Sequence, residues 1–534
     1  MSISKNFSRR DFLRAASTTT AAAAAAGLMS VPDRLAQAAI PSSQVTFDRE
    51  VDVVVVGSGT GQLAAIKAAT EGLSTLVLEK AANFGGTTGI SGGGIWFPNN
   101  PLMAEFGIPD SREEALEYLS HATFGQGTPE LQEAFVDNTT EVYEFLLSIG
   151  IAWELAPWFN DYYPEFPGGK ELGRHIDPIS TIEGVGGGGA LVQMLKQAAD
   201  AAGVEFLFET PAKRLVVDEA GAVVGVIAES GGAELAVKAN RGVILAAGGF
   251  DHNEDMVKNF LRGPVYYPSA VSTNTGDAHL MAMALGANLR NMNESWGWPV
   301  FFNEDYGISI PALAYEIGKP GTVVVNRRGE RFMNESGAYD PVTRTFYTYD
   351  NGTHEYVNIP GYVISDSANR SRYTMAYTAP GAEPPAWFKR ADTIEGLAEQ
   401  LGIDPEKLVA TVERFNANAA EGVDPDFHRG ESAFDKQTGG DVQRTDLPNP
   451  CLSPLTEAPF YAVAIWPGAL GTCGGPQINI SAQVLDVWGS VIPGLYAIGN
   501  TSGSVMGAGY PGGGSTVGAG FVFGYLAVKD IVSR

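Results

Sequence analysis

The residues best placed to do chemistry in this chain are glycines at the ends of apolar runs. Val51-Asp52-Val53-Val54-Val55-Val56 leads directly into Gly57-Ser58-Gly59-Thr60-Gly61-Gln62 and then into Leu63-Ala64-Ala65-Ile66-Lys67-Ala68-Ala69. The β-branched run is the pattern of a strand buried on both faces of a parallel sheet, and the alanine-rich run reads as a helix. Glycines at such a junction permit a tight turn and bring amide donors at the helix N-terminus close to an anion. A second strand, Ser74-Thr75-Leu76-Val77-Leu78, ends in Glu79, 22 residues after Gly57, where a carboxylate can accept from a ribose hydroxyl. Strand, turn, helix, strand and acid in register predict a βαβ dinucleotide site, with Gly57 making the turn and Gly59 the close approach to a pyrophosphate. Gln62 stands where the pattern's third glycine belongs and Gly61 sits one place early, which predicts slightly looser helix–strand packing.

Three more glycine-rich turns follow. Asn83-Phe84-Gly85-Gly86-Thr87-Thr88-Gly89-Ile90-Ser91-Gly92-Gly93-Gly94 exceeds what a nicotinamide cofactor needs. Amides and hydroxyls at Gly86, Thr87, Thr88, Gly92 and Gly93 suit a second part of a longer cofactor. Gly242-Val243-Ile244-Leu245-Ala246-Ala247-Gly248-Gly249-Phe250 and Gly494-Leu495-Tyr496-Ala497-Ile498-Gly499-Asn500 each repeat strand followed by glycine. Residues 204–229 read as short strands with a turn at Glu219-Ala220-Gly221. Four such turns, far apart in sequence, favour FAD, with Ala247, Gly248, Gly499 and Asn500 among its contacts.

The scaffold that must position these turns is large. The chain has 534 residues, 44% hydrophobic and 18% charged, which is globular composition and enough for two large domains or three ordinary ones. Its 35 Lys and Arg against 61 Asp and Glu leave a formal charge of −26, which argues against nucleic acid or anionic lipid as partner, because phosphate affinity is largely a count of cations. Two cysteines, Cys451 and Cys473, cannot supply a disulfide framework, a thiolate-held Fe–S cluster or a Cys-x-x-Cys-His haem site. The six histidines, His121, His175, His252, His279, His354 and His428, show no metal-ligand spacing, so no metal is expected. None lies beside Thr87-Thr88, so a non-covalent FAD is expected. Asn326-Arg327-Arg328-Gly329-Glu330 fits an exposed hairpin turn better than a carboxylate clamp completed by Arg331. Trp153, Trp158, Phe159, Tyr162, Tyr163 and Phe166 lie beside two prolines and suit the wall of a flat, apolar cavity, or else core.

At the N-terminus, Ser8-Arg9-Arg10-Asp11-Phe12-Leu13, the weakly apolar residues 21–29 and Ala36-Gln37-Ala38 form a twin-arginine signal pattern with a small-residue cleavage site. Removal of residues 1–38 would take away five basic and two acidic residues and leave a charge of −29. That route carries folded proteins, so a periplasmic protein loaded with its cofactor before export is expected. No other stretch approaches ~18 uninterrupted apolar residues, so no transmembrane span is predicted.

Beyond these turns the chain resembles the flavoprotein superfamily of fumarate reductases, succinate dehydrogenases and 3-ketosteroid dehydrogenases over nearly all of the segment after residue 38. The resemblance sharpens at Gly92-Gly93-Gly94-Ile95-Trp96-Phe97-Pro98-Asn99-Asn100, Asp161-Tyr162-Tyr163-Pro164-Glu165-Phe166-Pro167-Gly168-Gly169 and Asn334-Glu335-Ser336-Gly337-Ala338-Tyr339-Asp340. It sharpens again at Gly471-Thr472-Cys473-Gly474-Gly475 and Ser504-Val505-Met506-Gly507-Ala508-Gly509-Tyr510-Pro511-Gly512-Gly513-Gly514. Together these look like the 3-ketosteroid Δ1-dehydrogenases. The implied fold is α/β: a Rossmann-like FAD domain, residues 39–292 and 466–534, interrupted by an α+β substrate domain, residues 293–465. Lys80, Ala212, Asp277, Gly514, Ser515 and Val517 join the implied cofactor contacts, although Asp277 also suits an ordinary turn.

The resemblance also implies roles. Tyr510 and the Gly514 amide would bond the C3 carbonyl of a steroid, Tyr339 would take the C2 proton, and Tyr162, rather than Tyr163, would assist it. The C1 hydride would pass to the flavin. A proton α to a carbonyl is acidified by an oxyanion site and a nearby base. A phenol with a pKa near ~10 serves only where its surroundings lower that value or relay the proton. The loop Tyr510-Pro511-Gly512-Gly513-Gly514 departs from the family's commoner Tyr-Ala-Gly-Pro-Gly, and Cys473 stands where the family commonly has lysine or another residue, which bears on substrate shape and, less, on which bond is desaturated. The alternatives are a Δ4-dehydrogenase of 3-ketosteroids, an ene-reductase of fumarate or urocanate type, and a non-catalytic flavin electron carrier. A reductase would need an arginine acid and carboxylate clamps where these segments offer tyrosines. An external quinone or carrier protein would take the electrons, and the cavity mouth is open to peripheral membrane contact.

Overall fold

Parallel β-branched strands organise the first half of the molecule. The computed structural model describes residues 39–156 and 161–534; the twin-arginine pattern, Trp158 and Phe159 lie outside the described residues. Strand Arg49–Val56 runs parallel to Thr75–Leu78 on one side and to Ala233–Leu245 on the other, with Val53 opposite both Thr75 and Gly242. Val53, Val54 and Val55 are fully buried. Ala233–Leu245 serves two further partners: its first half pairs antiparallel with Val223–Ser230, and residues 243–245 pair parallel with residues 495–497, from near the C-terminus. The nine-stranded sheet thus ends three parallel strands at one edge, where Gly57 packs on Ala246. A Cβ at Gly57, whose φ is +103°, would lie 2.3 Å from the Ala246 carbonyl oxygen.

The predicted loosening at Gln62 does not occur. Gly61 takes the packing role, because a Cβ there would lie 2.9 Å from both Val55 Cγ1 and Ala246 Cβ. Gln62 turns inward and donates from Nε2 to Ser58 O at 2.8 Å.

Antiparallel strands build the second half. The order is Ile308–Pro311, Ser295–Asn303, Phe460–Thr472, Gly361–Ser365, Thr322–Val325, with Lys389–Ala391 also on the long central strand. The expected domain boundary at 465/466 falls inside that central strand, which stays paired as far as Thr472 opposite Ser295. Pro467 is accommodated because it faces Pro299, so two residues without N–H groups oppose each other. The short helix Tyr339–Arg344 lies on this sheet: Asp340 Oδ1 accepts from Gly297 N at 3.1 Å, and only glycine leaves room there for Thr343.

Helix Ser515–Ser533 is long and apolar enough by composition to cross a membrane, which the run-length reading did not anticipate. Most of it is buried, packed on helices Gly61–Thr70 and Pro129–Ser148, so its apolar character is spent inside the protein.

Packed against helix Ser515–Ser533 is a three-stranded sheet, Ile95–Trp96, His175–Pro178 and Trp153–Leu155. Just before it, Arg174 is fully buried and bonds Asp110 through Nε and NH2, at 2.9 and 2.7 Å, and Asp161 through NH1 at 2.8 Å. Asp161 also accepts from Trp96 Nε1 at 2.7 Å and from Lys170 N at 2.9 Å. Removing one partner of a buried pair strands the other. Arg174→Met is therefore expected to cost about 3–5 kcal/mol, read as a lower urea midpoint at unchanged slope.

Candidate active site

One cavity of about 880 Å³ runs from the Gly57 turn to the loop at 510–514. Its wall brings together Gly57, Gly59, Glu79, Lys80, Gly86, Thr87, Thr88, Gly92, Gly93, Ala212, Ala247, Gly248, Asp277, Asn500, Gly514 and Val517, with Tyr162, Tyr339 and Tyr510 at the far end. Three candidates do not face it. Gly61 is the packing glycine described above. Gly499, at φ +59°, lies against Thr60, whose Oγ1 would be 2.8 Å from a Cβ. Ser515 is buried and donates from Oγ to Gly512 O at 2.8 Å, closing its own loop.

The residues of the narrow end suit a dinucleotide. Gly59 lies under Thr88, whose Oγ1 would be 3.2 Å from a Cβ. The Glu79 carboxylate accepts from Ser58 N at 3.0 Å and Ser58 Oγ at 2.5 Å through Oε2, and from Ala81 N at 2.8 Å through Oε1, which leaves Oε1 one lone pair for a further donor. Lys80 reaches Asp277 at 2.8 Å and Thr275 Oγ1 at 2.5 Å, so these two candidates hold each other at the rim. Thr87 Oγ1 accepts from Val271 N at 3.3 Å and Asn274 Nδ2 at 3.2 Å. Glycine cradles, a buried acid and a helix N-terminus on one elongated cavity fit FAD.

At the far end three phenols meet. Tyr162 OH donates to Tyr339 OH at 2.8 Å. The ring centroids are 5.2 Å apart for Tyr162 and Tyr339, and 5.5 Å from each of these to Tyr510. Phe434 packs on Tyr162 at 5.3 Å, and Trp298 on Tyr339 at 6.0 Å. Tyr163 points elsewhere: it stacks on Phe166 at 4.9 Å, and its hydroxyl is buried without a partner. The flat apolar wall comes from Phe434, Trp296, Trp298, Pro311, Leu313 and Ile308, and among the described residues the aromatics near Trp153 contribute to it only through Tyr162.

Burial raises the pKa of all three phenols; Tyr162 and Tyr339 are pushed well above the usual value. The trio is neutral at physiological pH. Of the two routes by which a phenol can serve as base, these surroundings oppose the lowered pKa, and the Tyr162–Tyr339 hydrogen bond offers the relay.

Each tyrosine is held by its loop. Tyr162 N donates to Pro511 O at 3.0 Å, and Tyr118 OH donates to the same oxygen at 2.5 Å, tying the 161–163 segment to the glycine loop. Tyr339 follows Glu335, fully buried, whose carboxylate takes Arg331 at 2.7 and 3.1 Å, Arg429 at 3.2 Å and Val324 N at 2.9 Å. Arg331 also pairs with Asp424. It is thus a buried support rather than a clamp, while Arg327 and Arg328 pair with Glu355 and Asp350 at the surface. Cys473 is buried behind the wall, where its N–H donates to Glu294 O at 3.0 Å.

Sequence reasoning missed His175. It is the one histidine on the cavity wall among the described residues, with Nδ1 2.6 Å from Gly513 O and Nε2 3.0 Å from Asp177 Oδ1. No motif marks it; its place directly after Arg174, at the start of a short strand, was the only available signal.

Comparison with known proteins agrees with this geometry. A family model described as FAD binding domain matches residues 52–517. The chain is similar to a 3-oxosteroid 1-dehydrogenase of Mycolicibacterium smegmatis, 37% identical, with 91% of this chain and 98% of the relative covered. It is similar to a 4-oxocyclohexanecarboxylate 2-dehydrogenase of Sinomonas cyclohexanicum, 36% identical, with 90% and 93% covered. Among solved structures, a 3-ketosteroid delta1-dehydrogenase from Sterolibacterium denitrificans, in complex with 1,4-androstadiene-3,17-dione, superposes with a TM-score of 0.86 at 32% identity, covering 91% of this chain and all of that one.

Behind Thr87 and Asn274, Asp251 is buried with Oδ1 unpartnered and Oδ2 3.4 Å from Asn274 Nδ2. Burial pushes its pKa up to about 6 from 3.8. The folded state therefore keeps a proton that the unfolded chain releases, and its contribution is lost as pH rises from about 4 through 6. Asp251→Asn is expected to flatten that decline by about 2–3 kcal/mol between pH 4 and 7, read from urea denaturation across the range.

Proposed function

The chain belongs to the FAD-binding flavoprotein family that includes the 3-oxosteroid 1-dehydrogenases, and from that premise we propose that its cavity takes a 3-ketosteroid and desaturates ring A between C1 and C2. It is an FAD-dependent oxidoreductase. The observation that carries the reading is the convergence of Tyr162, Tyr339 and Tyr510 beside the Gly514 amide, at the end of a cavity whose other end fits a dinucleotide. Gly514, immediately before helix Ser515–Ser533, lines the cavity, and among the described residues no group accepts from its N–H. Together with the Tyr510 hydroxyl it can donate to a C3 oxygen and stabilise the enolate that forms when C2 loses its proton. Tyr339 takes that proton as it gives its own hydroxyl proton to Tyr162, 2.8 Å away, the hydrogen bond between them reversing, and Tyr162 in turn releases its proton to solvent. Bound FAD supplies hydride-accepting chemistry at C1. The aromatic and aliphatic wall favours a steroid over a small polar ketone. Electrons then leave to an acceptor outside the chain, a quinone or a carrier protein. The twin-arginine pattern supports export to the periplasm with FAD already in place.

The test is anaerobic bleaching of the bound flavin by androst-4-ene-3,17-dione, with the product identified by mass. Rapid bleaching with loss of two hydrogens from ring A is expected. Bleaching only by a 5α-saturated 3-ketosteroid would move the bond to C4–C5, and reoxidation by fumarate or urocanate without either would make the protein a reductase. Tyr510→Phe is expected to lower kcat about 10²–10³-fold by removing one oxyanion donor. Tyr339→Phe should lower it about 10²–10⁴-fold, with the flavin spectrum unchanged in both.

A further inference from the structure

We infer that His175 is a positioning residue that strengthens the Gly514 N–H as a donor to the substrate oxygen, an inference that rests on the ring-A ketone reading above. The Gly513 carbonyl and the Gly514 N–H are two ends of one peptide unit. His175 Nδ1 lies 2.6 Å from that carbonyl oxygen, and Nε2 lies 3.0 Å from Asp177 Oδ1. A carbonyl oxygen only accepts, so the 2.6 Å contact to Gly513 O is made by an N–H on Nδ1. Donation to the carbonyl draws electron density through the amide and leaves its N–H more polar. Such coupling strengthens the next hydrogen bond in a chain by about 10–30%. The next bond here is the one Gly514 would make to the developing enolate.

The surroundings hold the ring in place. Its side chain is 7% exposed, and it closes over Gly94, where a Cβ would be 2.4 Å from its Cε1. Gly514, at φ +87°, is pressed on the same segment, with a Cβ there 2.4 Å from Gly94 O. The adjoining Arg174 is committed to Asp110 and Asp161, and Asp177 is a carboxylate bonded to this ring. Three strand and loop segments thus fix a donor against the carbonyl side of the oxyanion peptide.

The experiment uses the FAD-loaded full chain, its His175→Gln variant and its Asp177→Asn variant, whose side chain is outside the cavity wall. Two readouts are taken: kcat and KM for androst-4-ene-3,17-dione, and the affinity of a phenolic A-ring steroid relative to its 3-deoxy counterpart. The affinity ratio isolates the contact to the ring-A oxygen and needs no turnover. His175→Gln is expected to lower kcat about 10-fold or more with KM within about 3-fold, and to cut the affinity ratio several-fold; Asp177→Asn should act in the same direction and less. An unchanged ratio in both variants, or losses that fall on KM with kcat preserved, overturns the inference and leaves His175 a packing residue. Should His175→Gln fail to retain FAD, Asp177→Asn decides by the same two readouts. A wild-type protein that oxidises no 3-ketosteroid overturns the underlying reading instead.

Discussion

A guanidinium with no exposure to water is tolerable only when its donors are used, and Arg174 spends them on Asp110 and Asp161. That choice fixes the site. Asp161 is the residue before Tyr162, and the Tyr162 amide in turn holds Pro511 O, one residue beyond Tyr510. One ion-pair cluster therefore sets the distance between two tyrosines that lie 348 positions apart in the chain. The third, Tyr339, is set by a separate buried cluster of Glu335, Arg331, Arg429 and Asp424. Each tyrosine is a rigid extension of a charge network beneath it, as a constellation that must meet a small oxygen and one proton requires.

Burying three phenols side by side has a consequence for the chemistry. It excludes water and strengthens every hydrogen bond in the site, but it also opposes forming a phenolate there. The two effects are reconciled if the proton moves along the phenol pair while the charge that develops on the substrate oxygen is met elsewhere, by Tyr510 and the Gly514 amide. The helix that starts at Ser515 adds its positive end to that spot. Acid–base work and oxyanion work are thus carried by different groups a few ångströms apart.

Much of this was legible from residues in a row. The βαβ turn at Gly57, the acid at Glu79 and the strand-to-glycine repeats at Gly248 and Asn500 follow local rules of strand, turn and helix, and the structure brings them to one cavity. Where residues fell outside the cavity, the reason was spatial. Gly61, Gly499 and Ser515 have the right types but serve packing, because the closest atoms to them come from Val55, Ala246, Thr60 and Gly512 rather than from the cavity. The boundary expected at 465/466 falls within a strand that continues to Thr472, because pairing with Ser295–Asn303 carries it past Pro467, a pairing that no local pattern announces.

The sequence by itself determined that this is a dinucleotide-binding α/β chain, since apolar periodicity and glycine spacing act over a few residues and need no distant partner. It also carried, through resemblance, the family and the three tyrosines. Only the tertiary structure decided that Tyr162 rather than Tyr163 faces the cavity, that Arg331 is a buried support, and that His175 stands behind the Gly513 peptide. Those outcomes depend on which side of a strand or loop meets which neighbour, and that is set by long-range packing and by buried charges seeking partners, quantities that residue type and spacing do not contain.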